Sequence, residues 1–158
     1  MSARHEDLNY GKPLYQETIR WSVPVWAFII FLDFSIVVAV WAALPISATW
    51  ITLLILILGT LLSYYKSALK ITVTQGWLLV GPAAIERAFI HNFKELDPPE
   101  MKRMRGIGAS ALNYLQIRFW ISTGVIISLR DPRDRTPNWI ISSKNSAKLI
   151  KVLENNQH

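Results

Sequence analysis

Asp33 is the only charged residue in an apolar run covering residues 23–65. A carboxyl inside such a run is costly, so its neighbours decide its work. Beside a hydroxyl it is a structural hydrogen-bonding group; beside a cation on another helix it is an assembly point; in a chain of titratable groups it relays protons. Antiparallel pairing about a turn near residues 45 and 46 sets position 58 opposite Asp33. Thr60 is then the expected hydrogen-bond partner of a protonated Asp33, and Gly59 the expected point of close helix approach. The structural role is the leading reading, with a membrane-protein partner and a relay as alternatives.

Elsewhere the chemistry-bearing residues are sparse. Asp131 and Asp134 stand three apart without the glycine of a calcium loop, and Asp followed by Pro132 is an ordinary turn opening. His5, His91 and His158 are far apart in sequence, and there is no cysteine, so disulfides, thiolate nucleophiles and Cys-ligated metals are excluded. Gly106 and Gly108 lack the third glycine of a dinucleotide loop and its strand-then-helix setting. No nucleophile–base pair or ligand set emerges, and the chain is expected to be no enzyme, with no cofactor and no metal.

Charge is more informative. Positions 1–20 carry three basic and three acidic residues, the apolar run contributes one negative charge, and residues 66–158 carry 14 basic against 7 acidic. Lys66, Lys70, Lys102, Arg103 and Arg105 are therefore candidate contacts to anionic lipid. For the last three, compensation of a helix dipole and packing is the favoured reading, and contact of these cations with anionic lipid, together with Met101 and Met104, is the alternative. Nucleic acid is the less favoured partner for this charge, because an anionic leaflet explains it more simply.

The elements that position these residues begin with a hairpin. Segments 23–44 and 48–65, as helices, would reach about 33 and 27 Å, close to a hydrocarbon thickness of about 30 Å. The short connection forces antiparallel neighbours, so residues 21–65 read as a transmembrane hairpin. The length of the first segment, its Asp33 and the second segment argue against a cleaved signal peptide. Arg20, Lys66 and Lys70 flank the hairpin while its loop is uncharged, which predicts a multi-pass plasma-membrane protein with both termini cytoplasmic. Trp21, Trp26, Tyr64 and Tyr65 fall at one expected interface, Trp41 and Trp50 at the other.

Residues 1–20, polar and carrying Gly11, Lys12 and Pro13, are expected to be a flexible cytoplasmic arm. Residues 66–158 read as a small, mostly antiparallel β-rich domain with a C-terminal helix, making the whole an α+β membrane protein. Alternation around Gln75 and Gly76 predicts a β-hairpin, and a third strand is expected over 84–90. Asp97, Pro98 and Glu100 predict a helix start, with Gly106 ending it in a left-handed conformation. One long strand is expected over 118–130, with Phe119, Ile121, Val125, Ile127 and Leu129 on one face and a bulge or bend at Gly124. After a long turn, Trp139, Ile140 and Ile141 form a strand. A helix from about 146 to 154, capped by Ser143 or Asn145, follows.

The C-terminal pattern Asp131, Pro132, Asp134, Thr136, Pro137 and Trp139, followed by Ser142, Ser143, Lys144 and a Leu-bearing last helix, resembles the actinobacterial two-pass membrane family called domain of unknown function 3093. The resemblance runs from the hairpin to Leu153. It implies an integral membrane protein with a small cytoplasmic domain similar to pleckstrin-homology-like folds, and it brings no established activity. The function expected is a membrane-anchored interaction module meeting lipid or a protein partner. An accessory subunit of a transporter or membrane enzyme, recruited through Asp33, is the alternative, and a homo-oligomer is compatible with both.

Overall fold

The computed structural model describes residues 11–106, 112–130 and 136–155 of the 158-residue chain. The chain divides into two compact units, one of residues 20–68 and one assembled from residues 1–19 and 69–158.

The first unit is a helical hairpin of α1 (Val23–Ala43) and α2 (Ile46–Ser67). Pro24 occupies the first turn of α1, where its missing N–H is no loss. The turn is only Leu44 and Pro45, closed by Leu44 N–H donating to the Val40 carbonyl and Ala48 N–H donating to the Pro45 carbonyl, both at 2.9 Å. The second helix is thus longer than its sequence signal at both ends and takes Lys66 into its last turn. The helices have 21 and 22 residues and mean hydropathies of 2.4 and 2.1, long and apolar enough to cross a membrane. No residue of either helix is buried.

The second unit holds two four-stranded sheets. In the first, β1 (Tyr15–Ile19), β2 (Leu69–Val73), β3 (Trp77–Val80) and β4 (Ala83–Glu86) pair antiparallel in chain order. A 3₁₀ turn at Arg87–Phe89 leads to β5 (Ile90–Leu96), α3 (Pro98–Arg105), β6 (Tyr114–Gln116), β7 (Gly124–Leu129), β8 (Asn138–Ser142) and α4 (Ser146–Glu154). The second sheet runs β5-β7-β8-β6, antiparallel except for β6 beside β8.

Several expectations need correction. Tyr15–Ile19 is no flexible arm but a strand whose Ile19 pairs with Leu69 on the far side of the hairpin; residues 1–10 lie outside the described residues. The expected strand over 118–130 is regular only from Gly124, with Phe119 exposed and Ile121 buried in an irregular stretch. The third strand ends at Glu86, and β5 and β6 had no clear sequence signal. Gly106 has φ −115° and is not left-handed. Gly124 makes no bulge: a Cβ there would sit 2.4 Å from the Ile141 carbonyl oxygen and 2.8 Å from Met101 Cε, so close packing demands the glycine. The register shift lies instead between Ile90 and Asn92.

The core explains the consecutive apolar residues of β7 and β8. Val125, Ile127, Trp139 and Ile141 join Ile19, Leu69, Ile71, Val73, Leu78 and Val80 of the first sheet and Leu149 and Leu153 of α4. Ile126 and Ile140 face the opposite way, into a smaller cluster with Leu96, Met101, Met104 and Ile117 under α3. A sheet covered on both faces requires apolar residues at every position, which removes the alternation expected of a half-exposed strand.

Candidate functional site

In the hairpin, Thr60 Oγ1 donates to Asp33 Oδ2 at 2.8 Å, joining α1 to α2. Asp33 lines a groove of about 250 Å³ with Ile30, Phe34, Val37, Leu53, Leu56 and Ile57, so a single hydroxyl meets the carboxyl in an otherwise apolar wall. Gly59 is not at the close approach expected of it, since a Cβ there would meet nothing within 4 Å. At the end where the hairpin begins and finishes, Trp21, Trp26 and Tyr64 pack with ring centroids 5.1 to 5.7 Å apart, and Tyr65 lies 5.5 Å from Tyr64. Arg20 donates to the Tyr64 hydroxyl and lies 5.6 Å from its ring centre. Trp41 and Trp50, beside the turn, are exposed.

The five candidate lipid cations do not share one environment. Lys66, Lys70, Lys102 and Arg103 are exposed. Arg105 is occupied: its guanidinium donates to the carbonyls of Arg118, Phe119 and Ile121. The α3 start follows its sequence signal, with Asp97 accepting from Glu100 N–H at 2.8 Å. Lys94 bonds the Glu100 carboxylate and draws its pKa below the usual range. Met101 is wholly buried and Met104 packs beside it, so these methionines serve the core.

Among the described residues a dense polar network lies in the sheet-containing unit, on a residue for which the sequence suggested no role. Glu17 occupies the central inward position of β1. Its Oε2 accepts from Tyr15 Oη at 2.8 Å and Ser143 Oγ at 2.7 Å, while Oε1 accepts from Lys144 N–H at 2.7 Å. Burial, and then the bond to Glu17, push the Tyr15 pKa far above the ordinary tyrosine value. Ser143 Oγ also accepts from Asn145 N–H at 3.1 Å, the residue that opens α4. The carboxylate therefore ties the first strand to the start of the last helix, where the amide dipoles favour negative charge. The signal available in sequence was an acidic residue in a Tyr-x-Glu-x-Ile alternation.

Arg87 performs the complementary task at the other end of α4. It is 6% exposed and donates to the carbonyls of Thr74, Gln75, Val152 and Leu153, at 2.7 to 3.4 Å. Burial lowers its pKa. A guanidinium satisfies free carbonyls at a helix C-terminus and is favoured by the dipole there.

Of the family-like residues, Asp131, Pro132 and Asp134 lie outside the described residues. The Pro137 carbonyl accepts from Leu129 N–H at 2.9 Å, closing the β7–β8 connection, and Thr136 lies beside it in sequence. Trp139 is buried against Tyr114, with ring centroids 4.7 Å apart. Ser142 Oγ accepts from Arg118 N–H at 2.9 Å. These positions hold the fold together. Among the described residues no group of three metal-ligating side chains converges.

Residues 14–153 match the model of a family described as "Protein of unknown function (DUF3093)", and the chain belongs to that family. No curated protein and no solved structure matches it.

Proposed function

We propose that this member of the DUF3093 family is a membrane-anchored, non-enzymatic interaction module that presents a small β-rich domain at the cytoplasmic face of the plasma membrane. The observation that carries the proposal is the pairing of Ile19 with Leu69. Everything between them is an excursion out of one antiparallel strand pair and back into it. Strands of one sheet cannot lie on opposite sides of a bilayer, because the ladder would have to form across hydrocarbon. An excursion of two helices with an even number of crossings meets that condition, and the exposed apolar faces of both helices then meet lipid. The Arg20–Tyr64 aromatic cluster suits one headgroup layer, and Trp41 and Trp50 suit the other. The basic excess after residue 65 favours the cytoplasm for the soluble unit. Its four-strand meander, following mostly antiparallel sheet and terminal helix support a pleckstrin-homology-like assignment.

Protease protection in spheroplasts tests the topology. Tags at Met1 and His158 are both expected to survive protease added from outside; digestion of either overturns it.

Asp33 favours one second reading, an accessory subunit of a membrane transporter or enzyme complex. Its groove leaves the carboxyl with one hydroxyl partner, so a polar group on another membrane helix would find an acceptor there. Recovery of a stoichiometric membrane partner after gentle solubilisation would support that reading.

A further inference from the structure

Exposed large apolar side chains in the soluble unit are confined. Among the described residues outside the hairpin they are Leu14, Leu112, Leu115 and Phe119, and three of the four fall between positions 112 and 119. Phe119 is the most exposed of them, at 70%, with its ring edge-on to Trp120 at 4.8 Å. A ring 70% exposed adds little to the core, and three exposed apolar residues within eight positions point to a contact surface.

Arg105 sets what surrounds the ring. By donating to the carbonyls on both sides of Phe119 and to that of Ile121, it fastens the 118–121 stretch against the last turn of α3. That turn also carries Lys102 and Arg103, both exposed. Arg105 thus fastens an aromatic tip to the last turn of α3, a turn that carries two exposed cations, while the acid of the first turn, Glu100, is already held by Lys94.

We propose that this surface docks onto the anionic leaflet of the membrane, with Phe119 entering the headgroup layer, Lys102 and Arg103 meeting lipid phosphates, and Arg105 acting as the brace that presents the ring. The proposal rests on the anchored reading above. Charge complementarity selects the occupant, since an apolar tip flanked by cations matches an acyl boundary flanked by phosphates. Chain connectivity supplies the proximity: α2 ends at Ser67 and β2 begins at Leu69, while β1 ends at Ile19 and α1 begins at Val23. Links of one and three residues tether this unit to the proposed anchor, so weak contacts act at high effective concentration. Within the α3 region the lipid contact then falls to Phe119, Lys102 and Arg103, with Arg105 as their brace.

The absence of cysteine makes the test direct. The full chain carrying Phe119→Cys, nitroxide-labelled and placed in nanodiscs, reports the depth of position 119 through its relative collision rates with oxygen and a water-soluble nickel chelate. In phosphatidylglycerol-containing discs the label is expected to favour oxygen several-fold over the same label in phosphatidylcholine discs. Adding Lys102→Glu and Arg103→Glu should return it to water. A label at Lys148→Cys, on the exposed face of α4, should stay in water throughout. A label at Ile55→Cys, mid-hairpin, reports the anchor separately. If position 55 is lipid-exposed while position 119 stays in water, docking is overturned and the anchor stands. If position 55 is in water, the anchored reading fails and the docking proposal fails with it. Shielding of position 119 that ignores lipid charge, or dipolar broadening between labels on two copies, overturns the proposal in favour of a protein contact.

Discussion

Glu17 and Asp33 are both carboxyls facing the inside of their own unit, and the two units treat them differently. Glu17 receives three donors that hold both of its oxygens, on elements as far apart in sequence as β1 and the start of α4. Asp33 receives one hydroxyl, from the adjacent helix. The packing differs in the same sense. Ile71, Leu78 and Val80 are fully buried in the sheets, whereas Phe34, Leu54 and Ile55 in the hairpin are 59 to 66% exposed. In water each buried aliphatic side chain stabilises by about 1.5–3 kcal/mol, so the sheet-containing unit secures itself by enclosure. The hairpin hides little from its surroundings, and in the proposed bilayer the surroundings do that work. The contrast teaches that a polar group inside a self-enclosed core must be fully satisfied, while one on an exposed two-helix hairpin is met by a single local partner.

The contrast is broken most severely by removing the better-satisfied carboxylate. Glu17→Leu leaves the Tyr15 and Ser143 hydroxyls and the Lys144 N–H without an acceptor, and the loss is expected to be about 3 kcal/mol. Chemical denaturation of the detergent-solubilised chain, followed by the β signal in far-UV circular dichroism, measures it; an unchanged midpoint would mean the network adds nothing to stability.

A smaller effect is expected from pH. The folded-state pKa of Tyr15 is raised by burial and by Glu17 above its unfolded value, which is about 10. A raised pKa contributes stability that is complete below the unfolded value and is lost as pH climbs toward the folded one. Stability of the sheet-containing unit should therefore fall above about pH 10. Tyr15→Phe should flatten that slope, and burial of Tyr114, whose pKa is also raised, should leave a remnant of it. Equal alkaline slopes in wild type and Tyr15→Phe would exclude Tyr15 as their source.

The smallest effect belongs to Asp33. Polar contacts between membrane helices contribute about 0.6 kcal/mol on average, so Asp33→Asn, which keeps an acceptor for Thr60, should leave stability in detergent nearly unchanged. Asp33→Leu should cost only about that much. If Asp33→Asn instead abolishes recovery of a membrane partner while insertion is normal, the accessory-subunit reading gains and the comparison with Glu17 sharpens: one carboxyl holds a fold, the other an assembly.

Legibility followed the range of the forces involved. The two apolar helices, the Asp97 start of α3, the β2–β3 hairpin and α4 were readable because each depends on neighbours within a few residues, through hydrophobic periodicity, capping or turn chemistry. The pairing of Thr60 with Asp33 was readable for a related reason, since a short turn makes register a matter of counting. β1 was not readable. Its central inward position is a glutamate, which breaks the apolar alternation, and its donors Ser143 and Lys144 lie 126 and 127 residues away. β5 and β6 carry short or polar patterns whose strand character comes from the neighbours they pair with.

By itself, then, the sequence determined the two-helix hairpin, the charge asymmetry around it and a β-rich remainder closed by a helix, because length, composition and periodicity act locally. Only the tertiary structure decided that the hairpin interrupts a strand pair, that Glu17 and Arg87 secure the two ends of α4, and that Arg105 braces an exposed Phe119. Each of those depends on a hydrogen bond between residues whose meeting is set by sheet topology, and no local pattern encodes which distant carbonyl or carboxylate a side chain will find.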